Sequence, residues 1–314
     1  MIRAWKRDLE IILTSQKLHK SLTFGTNWKK GENDFTIRVS GHKYLASMKD
    51  NFTIDIENLT YSEVVQLIDG EYYDVEIKAG YKDIGAQTIF KGGVQYISNI
   101  LGDRKSNTVK IFCANKLVAK FGQSKINLTL NSGINMYGAL STINKRVGLG
   151  NVKISSELKQ RIIKDTTTVR TNFANFLDNF TKNNNLIINA DSSLNTDYNL
   201  WSPRSQEKII VLRDDAFVLT GGYPTFNSEG AHLMLIPTYN FMPGDIIKLD
   251  NSILDLGISS SSEISSNAAY YLDNDGKYYI TEISYDLNNR NSNFQLSILA
   301  KSYTYYKQLQ NLAR

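Results

Sequence analysis

The residues of this chain that could do chemistry are few and scattered. Three histidines, His19, His42 and His232, stand far apart, and none sits in an H-E-x-x-H or comparable ligand spacing. Each reads as a satisfied or solvated side chain. Cys113 is the only cysteine. It alternates with Val109 and Ile111 at the strand period, so it reads as a small core residue and not as a nucleophile. A lone thiol also excludes an internal disulfide framework and a thiolate zinc cluster, and it fits synthesis in a reducing cytoplasm. The adjacent carboxylates Asp214 and Asp215 could serve as an acid and base on a glycan, but neighbours on a strand point to opposite faces. They read as a solvated loop or strand end.

Glycine-bearing motifs resolve the same way. Gly148-Leu149-Gly150 lacks the third glycine of a dinucleotide loop and follows a helix instead of opening one, so it is a helix stop. Asp273-Asn274-Asp275-Gly276 begins like a calcium loop, yet Ser284 stands where the bidentate Glu belongs. A hairpin turn that tolerates positive φ fits it better. No Gly-x-Ser-x-Gly elbow or Walker loop occurs. Lys29-Lys30 after Trp28, and the lysines and tyrosines of 301–307, place charge beside aromatic rings but form no continuous nucleic-acid stripe. They read as a solvated face or a subunit contact. The expectation is a protein that is not an enzyme and needs no metal or cofactor.

The elements that would carry a different kind of function are mostly strands. Hydrophobic residues make up 41% of the 314 residues and charged ones 21%, the balance of a soluble globular chain of two or three domains. No stretch approaches the roughly 20 apolar residues a membrane span requires. Asp8 and Glu10 interrupt the N-terminal apolar run and no small-residue cleavage site follows, which argues against a signal peptide. The four Asn-x-Thr sequons at Asn51, Asn58, Asn127 and Asn179 then read as chance matches. The net charge of +5 comes from 36 Lys and Arg against 31 Asp and Glu, interspersed along the chain, which is weak support for nucleic-acid binding.

Alternation at period two marks half-buried strands at Phe35, Ile37 and Val39, at Phe52, Ile54 and Ile56, at Tyr73, Val75, Ile77 and Ala79, and at Val109, Ile111 and Cys113. One helix interrupts them. Thr60 and Glu63 make a capping box, Tyr61, Val64, Val65 and Ile68 share a face, and Gly70 can end it. Beyond residue 123 the period changes: an extended stretch (Ile126, Leu128, Leu130) leads into a helix with core face Met136, Leu140, Ile143 and Val147. A second apolar helical stripe follows (Val169, Phe173, Phe176, Leu177, Phe180), then a strand near 186–190. Strand patterns resume at 208–212, 232–236, 245–249, 278–285 and 294–299. The Ser-rich stretch 257–267 reads as a mobile loop. The expected fold class is α+β, mainly β, with three domains: 1–122, a first β domain with one helix at about 60–70; 123–203, a small α/β region with two helices; and 204–314, a second β domain.

Several short motifs, taken in order, resemble one family. Asp55-Ile56-Glu57-Asn58-Leu59 before the capped helix, Val75-Glu76-Ile77-Lys78-Ala79-Gly80-Tyr81, and Ile89-Phe90-Lys91-Gly92-Gly93-Val94 are similar to the first β domain of phage tail baseplate hub proteins, the group that includes the late control protein D family. The second β region carries Gly221-Gly222-Tyr223-Pro224-Thr225, Leu235-Ile236-Pro237, Met242-Pro243-Gly244-Asp245 and Tyr279-Ile280-Thr281-Glu282-Ile283. Physically, Gly80 suits a strand-ending turn, Gly92 a bulge or close approach, Pro243-Gly244 a type II turn, and Tyr81 and Phe90 a barrel core. Pro224 and Pro237 complete the motif set.

The resemblance implies two tube-like antiparallel β-barrel domains flanking the small α/β region. It further implies a homotrimer of roughly 105 kDa that presents six similar β units to a six-fold tail tube and three-fold symmetry to a spike or tail-tip protein. Its partners would be the tail tube or distal tail protein, the spike or tip, and the tape-measure protein, with DNA passing transiently through the lumen and no insertion into a membrane. Its place would be the virion tail baseplate, assembled in the cytoplasm of a bacterial host. Two other readings remain open at this point: a tail-tip module that binds cell wall or carbohydrate through the middle region, and a tail-associated cell-wall hydrolase.

Overall fold

In the computed structural model the described residues are 6–15, 17–25, 35–45, 50–83, 85–101, 107–149, 152–154, 159–184, 187–189, 198–201, 209–212, 224–227, 230–249, 276–290 and 293–303. The first β region contains β1 (Arg7–Ser15), β2 (Lys20–Gly25), β3 (Thr36–Tyr44), β4 (Asn51–Leu59), α1 (Tyr61–Asp69), β5 (Asp74–Tyr81), β6 (Gly85–Leu101) and β7 (Asn107–Ala114). The middle carries α2 (Lys116–Phe121), β8 (Lys125–Leu130), α3 (Met136–Val147), β9 (Val152–Ile154), β10 (Thr167–Asn172), α4 (Phe173–Asn184), β11 (Ile187–Asn189) and β12 (Tyr198–Trp201). The last part contributes β13 (Ile209–Leu212), β14 (Thr225–Asn227), β15 (Gly230–Leu235), β16 (Ile246–Leu249), β17 (Lys277–Asn288) and β18 (Phe294–Ser302). The fold is α+β and mainly β, as the alternation predicts. Asp214, Asp215, the Asp273-Asn274-Asp275 run and the Ser-rich stretch 257–267 lie outside the described residues.

Thirteen strands join in one sheet, ordered β14-β15-β18-β17-β3-β4-β7-β6-β5-β1-β2, with β16 also on β17 and β13 on β16. Apart from the parallel β13–β16 pair, its ladders are antiparallel. Its inward residues follow the period-two pattern: Ile37 and Val39, Phe52, Ile54 and Ile56, and Val109, Ile111 and Cys113 are all buried in one core that also takes in Ile280, Ile283, Leu296 and Ile298. Each such side chain contributes about 1.5–3 kcal/mol when removed from water. Among the described residues the pairing path is open, yet the sheet curls over its core. Tyr81 on β5 meets Phe294 on β18 edge to face at 5.4 Å, although five strands separate them in the sheet.

The device that bends the sheet is β6. Its residues 85–93 pair with β5 and its residues 93–101 pair with β7, with irregular register at Ile77/Lys78 and at Val94/Tyr96. The hand-over falls on Gly92 and Gly93, where backbone must approach backbone. A Cβ on Gly92 would stand 2.4 Å from the carbonyl oxygen of Ala114.

Outward-facing charges fix the register. Glu10 and Lys78 (3.3 Å), Glu76 and Lys91 (3.5 Å), and Asp55 and Lys110 (3.5 Å) pair directly across neighbouring strands. Exposed pairs of this kind contribute about 0.2–1 kcal/mol each. A one-residue slip would lose them and turn the apolar set outward.

Three local expectations change. The sequence pattern marks its first strand at Phe35, whereas the structure also places β1 inside the sheet between β2 and β5, the alternation of Leu9, Ile11 and Leu13 being masked by Ile12. The capping box of α1 is present, with Glu63 N–H donating to Thr60 Oγ1 and Thr60 N–H donating to Glu63 Oε2. Its buried residues, however, are Val64 and Leu67, while Tyr61, Val65 and Ile68 face outward. The apolar set on α1 is wide enough to wrap most of the helix, and the sheet covers only one side. Val169 belongs to β10 and not to the following helix, which starts at Phe173 where Asn172 Oδ1 accepts from the Asn175 N–H.

The middle region has its own core of Ile126, Leu130, Met136, Leu140, Ile143, Phe173 and Leu177. Helix α3 ends at Gly148 in the left-handed region (φ 82), a conformation that costs glycine little. Leu117 of α2 joins this second core, and Lys116 pairs with Asp74 on β5 at 3.0 Å, tying the middle region to the large sheet.

Candidate functional site

Among the described residues the possible catalytic side chains do not converge. His42, on β3, places Nδ1 3.1 Å from Glu282 on β17 and stacks on Tyr44 at 5.9 Å. His19 lies in the β1–β2 turn with φ 49, and His232 sits opposite Thr225 in the β14–β15 hairpin. Cys113 is buried, and burial pushes its thiol far above the usual range, so the nucleophilic thiolate does not form at neutral pH. Among the described residues no group of three His, Cys, Asp or Glu side chains could hold a metal ion.

The motif residues instead build the frame. Gly80 lies within β5, where a Cβ would stand 2.3 Å from the Gly85 carbonyl oxygen; the neighbouring turn draws its positive φ from Gly85 (φ 89). Tyr81 is buried against Phe294, and burial raises its phenol while Arg7 draws it back down. Phe90 stacks on Phe52 at 4.2 Å and covers Gly92. Pro224 immediately precedes β14 and Pro237 follows β15, both buried. Pro243 and Gly244 occupy the corner of a turn closed by Asp245 N–H donating to Met242 O at 3.0 Å, with Gly244 at φ 100. That turn is stitched to β17: Gly244 N–H donates to Ile280 O and Ile280 N–H donates to Asp245 O.

Where this turn meets β3, the structure holds a buried polar cluster that the motifs did not reveal. Lys43 is 5% exposed, its Nζ donates to Met242 Sδ at 3.4 Å, and it lies 5.9 Å from the centre of the Tyr285 ring. Asp50 Oδ1 accepts from the Tyr44 N–H and Asp245 Oδ2 from the Met242 N–H. Burial pushes the Lys43 ammonium down, against the opposing pull of Asp50 and Asp245, and burial pushes the Asp50 carboxyl up. The signal was available in the sequence: Lys43 occupies the inward phase of Ile37, Val39 and Gly41. The cluster joins β3 near the start of the chain to β17 near its end.

No protein-family model matches the chain, and no curated protein sequence matches it either. Solved structures do. The 43 kDa tail protein of prophage MuSo2 from Shewanella oneidensis aligns with a TM-score of 0.57 at 10% identity, over 93% of this chain and 96% of that one. The fold is that of phage-type tail proteins. A tail protein from Neisseria meningitidis MC58 aligns with a TM-score of 0.54 at 9% identity, over 96% and 98% of the two chains. The E. coli c3393 protein, a component of the type VI secretion system with structural similarity to the T4 bacteriophage tail proteins gp27 and gp5, aligns with a TM-score of 0.53 at 12% identity, over 85% and 73%. These alignments cover 93%, 96% and 85% of this chain, so they take in the large sheet as well as the middle region.

Proposed function

We propose that this chain is a non-enzymatic structural subunit of a phage-type tail, a baseplate hub whose copies form a three-fold ring between a six-fold tail tube and a spike or tip. The observation that carries the reading is the end-to-end correspondence with tail proteins of comparable extent, in which both β regions and the middle region take part. The buried state of Cys113 and the pairing of His42 with Glu282 support a structural role over a chemical one.

In this reading each copy offers its two β regions to the ring, so that three copies present six similar β units to the tube. The tail tube or distal tail protein sits on one face and the spike or tip on the other. DNA and tape-measure protein pass through the lumen. The baseplate is the site of action, after assembly in the host cytoplasm.

The test is the native mass of the full chain, alone and mixed with a purified tail-tube protein. Three copies are expected, three times the 35.5 kDa of one chain. A chain that stays monomeric in both samples overturns it.

A further inference from the structure

Charge is divided unevenly, although Lys and Arg look evenly spread at first sight. Residues 115–184 hold eleven Lys and Arg against three Asp and Glu, and the remaining chain holds 25 against 28. The basic middle region is thus joined to a slightly acidic frame.

Two exposed apolar patches fall on opposite sides of this division. On α1, Tyr61 (78% exposed), Val65 and Ile68 (52% exposed) are spaced i, i+4, i+7 and form one stripe pointing away from the sheet. The carboxylates that flank the helix in sequence or lie on it are Glu57, Glu63, Asp69 and Glu71; Glu63 closes the cap with Thr60, and Glu71 holds Lys17 at 2.7 Å. In the middle region the backbone brings the exposed Ile162 (58%) and Tyr137 onto neighbouring segments: Ile162 bridges Asn135, Met136 N–H donates to Arg161 O, and Gly133 N–H to Ile163 O. Lys159 Nζ lies 5.6 Å from the centre of the Tyr137 ring, and Arg161 and Lys164 are exposed beside it. Among the described residues none of these three cations has a carboxylate within 4.0 Å.

An apolar centre with a charged rim is the composition of a protein contact. The two rims carry opposite sign and belong to one chain, which names the occupant of each as a second copy. A contact of either patch with itself would place like charge on like charge. Helix α1 packs on the large core through Val64 and Leu67, whereas Met136 and Ile163 beside the Tyr137–Ile162 surface pack in the second core, so the two patches sit on different cores of one chain.

We propose that the α1 stripe of one copy docks head to tail on the Tyr137–Ile162 surface of the next. Such a contact is heterologous, and it closes into a ring when the rotation per copy allows. The proposal rests on the ring reading and supplies its subunit interface.

The test uses three full-length variants and sedimentation velocity: Glu57→Lys with Asp69→Lys on the α1 side, Arg161→Glu with Lys164→Glu on the other, and a chain carrying all four. Each two-site variant is expected to weaken assembly about tenfold or more, and the four-site chain to recover to within about threefold of wild type, since its signs are opposite again. Two-site variants that assemble like wild type overturn the interface and leave the ring standing, including the case where the basic surface turns out to bind an anionic polymer. Failure of the four-site chain to recover also overturns it. A wild-type chain that never assembles brings down the ring reading and the interface with it.

Discussion

Phe90 lies flat against Phe52, ring centres 4.2 Å apart and planes 28° from parallel, and each ring covers a glycine. A Cβ on Gly92 would stand 2.3 Å from Phe90 Cζ, and one on Gly41 would stand 2.3 Å from Phe52 Cδ1. Aromatic rings lying over strand glycines replace the packing the glycines lack. The stack thereby clamps the hand-over in β6 to the β3–β4 pair. Gly92→Ala and Gly41→Ala should each destabilise the fold by about 2–3 kcal/mol, because the ring and the backbone on either side cannot both give way. Urea unfolding of the two variants measures this; a change below about 0.5 kcal/mol in either contradicts the clamp.

The capping box gives a milder effect. Thr60→Ala removes the acceptor for the Glu63 N–H and one partner of the Glu63 carboxylate. The expected loss is about 1 kcal/mol. Thr60→Ser should restore most of it in the same urea series, which separates capping from simple loss of volume.

Lys43 predicts a dependence on pH. Its ammonium sits at about 8 in the fold against 10.5 when exposed, because burial disfavours the charge. Between those values the unfolded chain holds the proton that the folded chain has released, so stability rises with pH across that window. Lys43→Met should remove that rise. Unfolding free energies of both chains from pH 7.5 to 10.5 check it, and parallel curves would contradict it. Asp50 acts in the opposite sense at lower pH: burial raises its folded value above 3.8, so its contribution falls as pH rises from there.

Cys113 should be silent in the native protein. Its thiol is buried and protonated, so a disulfide-exchange reagent should label it only on the timescale of unfolding. Complete labelling within seconds in native buffer would show that the β4–β7–β6 wall opens locally.

Strand positions could be read from the sequence wherever one face is buried and the other wet, as at Phe52, Ile54 and Ile56, because a half-buried sheet imposes period two on its residues. The short motifs around Gly80 and Phe90 resemble those of tail hub proteins, and the fold is similar to that of solved tail proteins. What stayed hidden has physical causes. Strand β1 is masked by Ile12, an apolar residue on the outward phase. Periodicity shows which residues of α1 are apolar but not which of them the sheet covers, so Tyr61, Val65 and Ile68 cannot be told from the buried Val64 and Leu67. The inward phase of Lys43 is legible in the sequence, but its partners are not, because they depend on β3 lying beside β17, a contact across some 240 residues that no local pattern encodes.

Electron microscopy of the assembled protein tests the proposed ring. Class averages of the full chain, viewed down the particle axis by electron microscopy, should show a closed ring of three copies with six similar lobes around an open lumen. Isolated single copies, or open chains that never close, would contradict it.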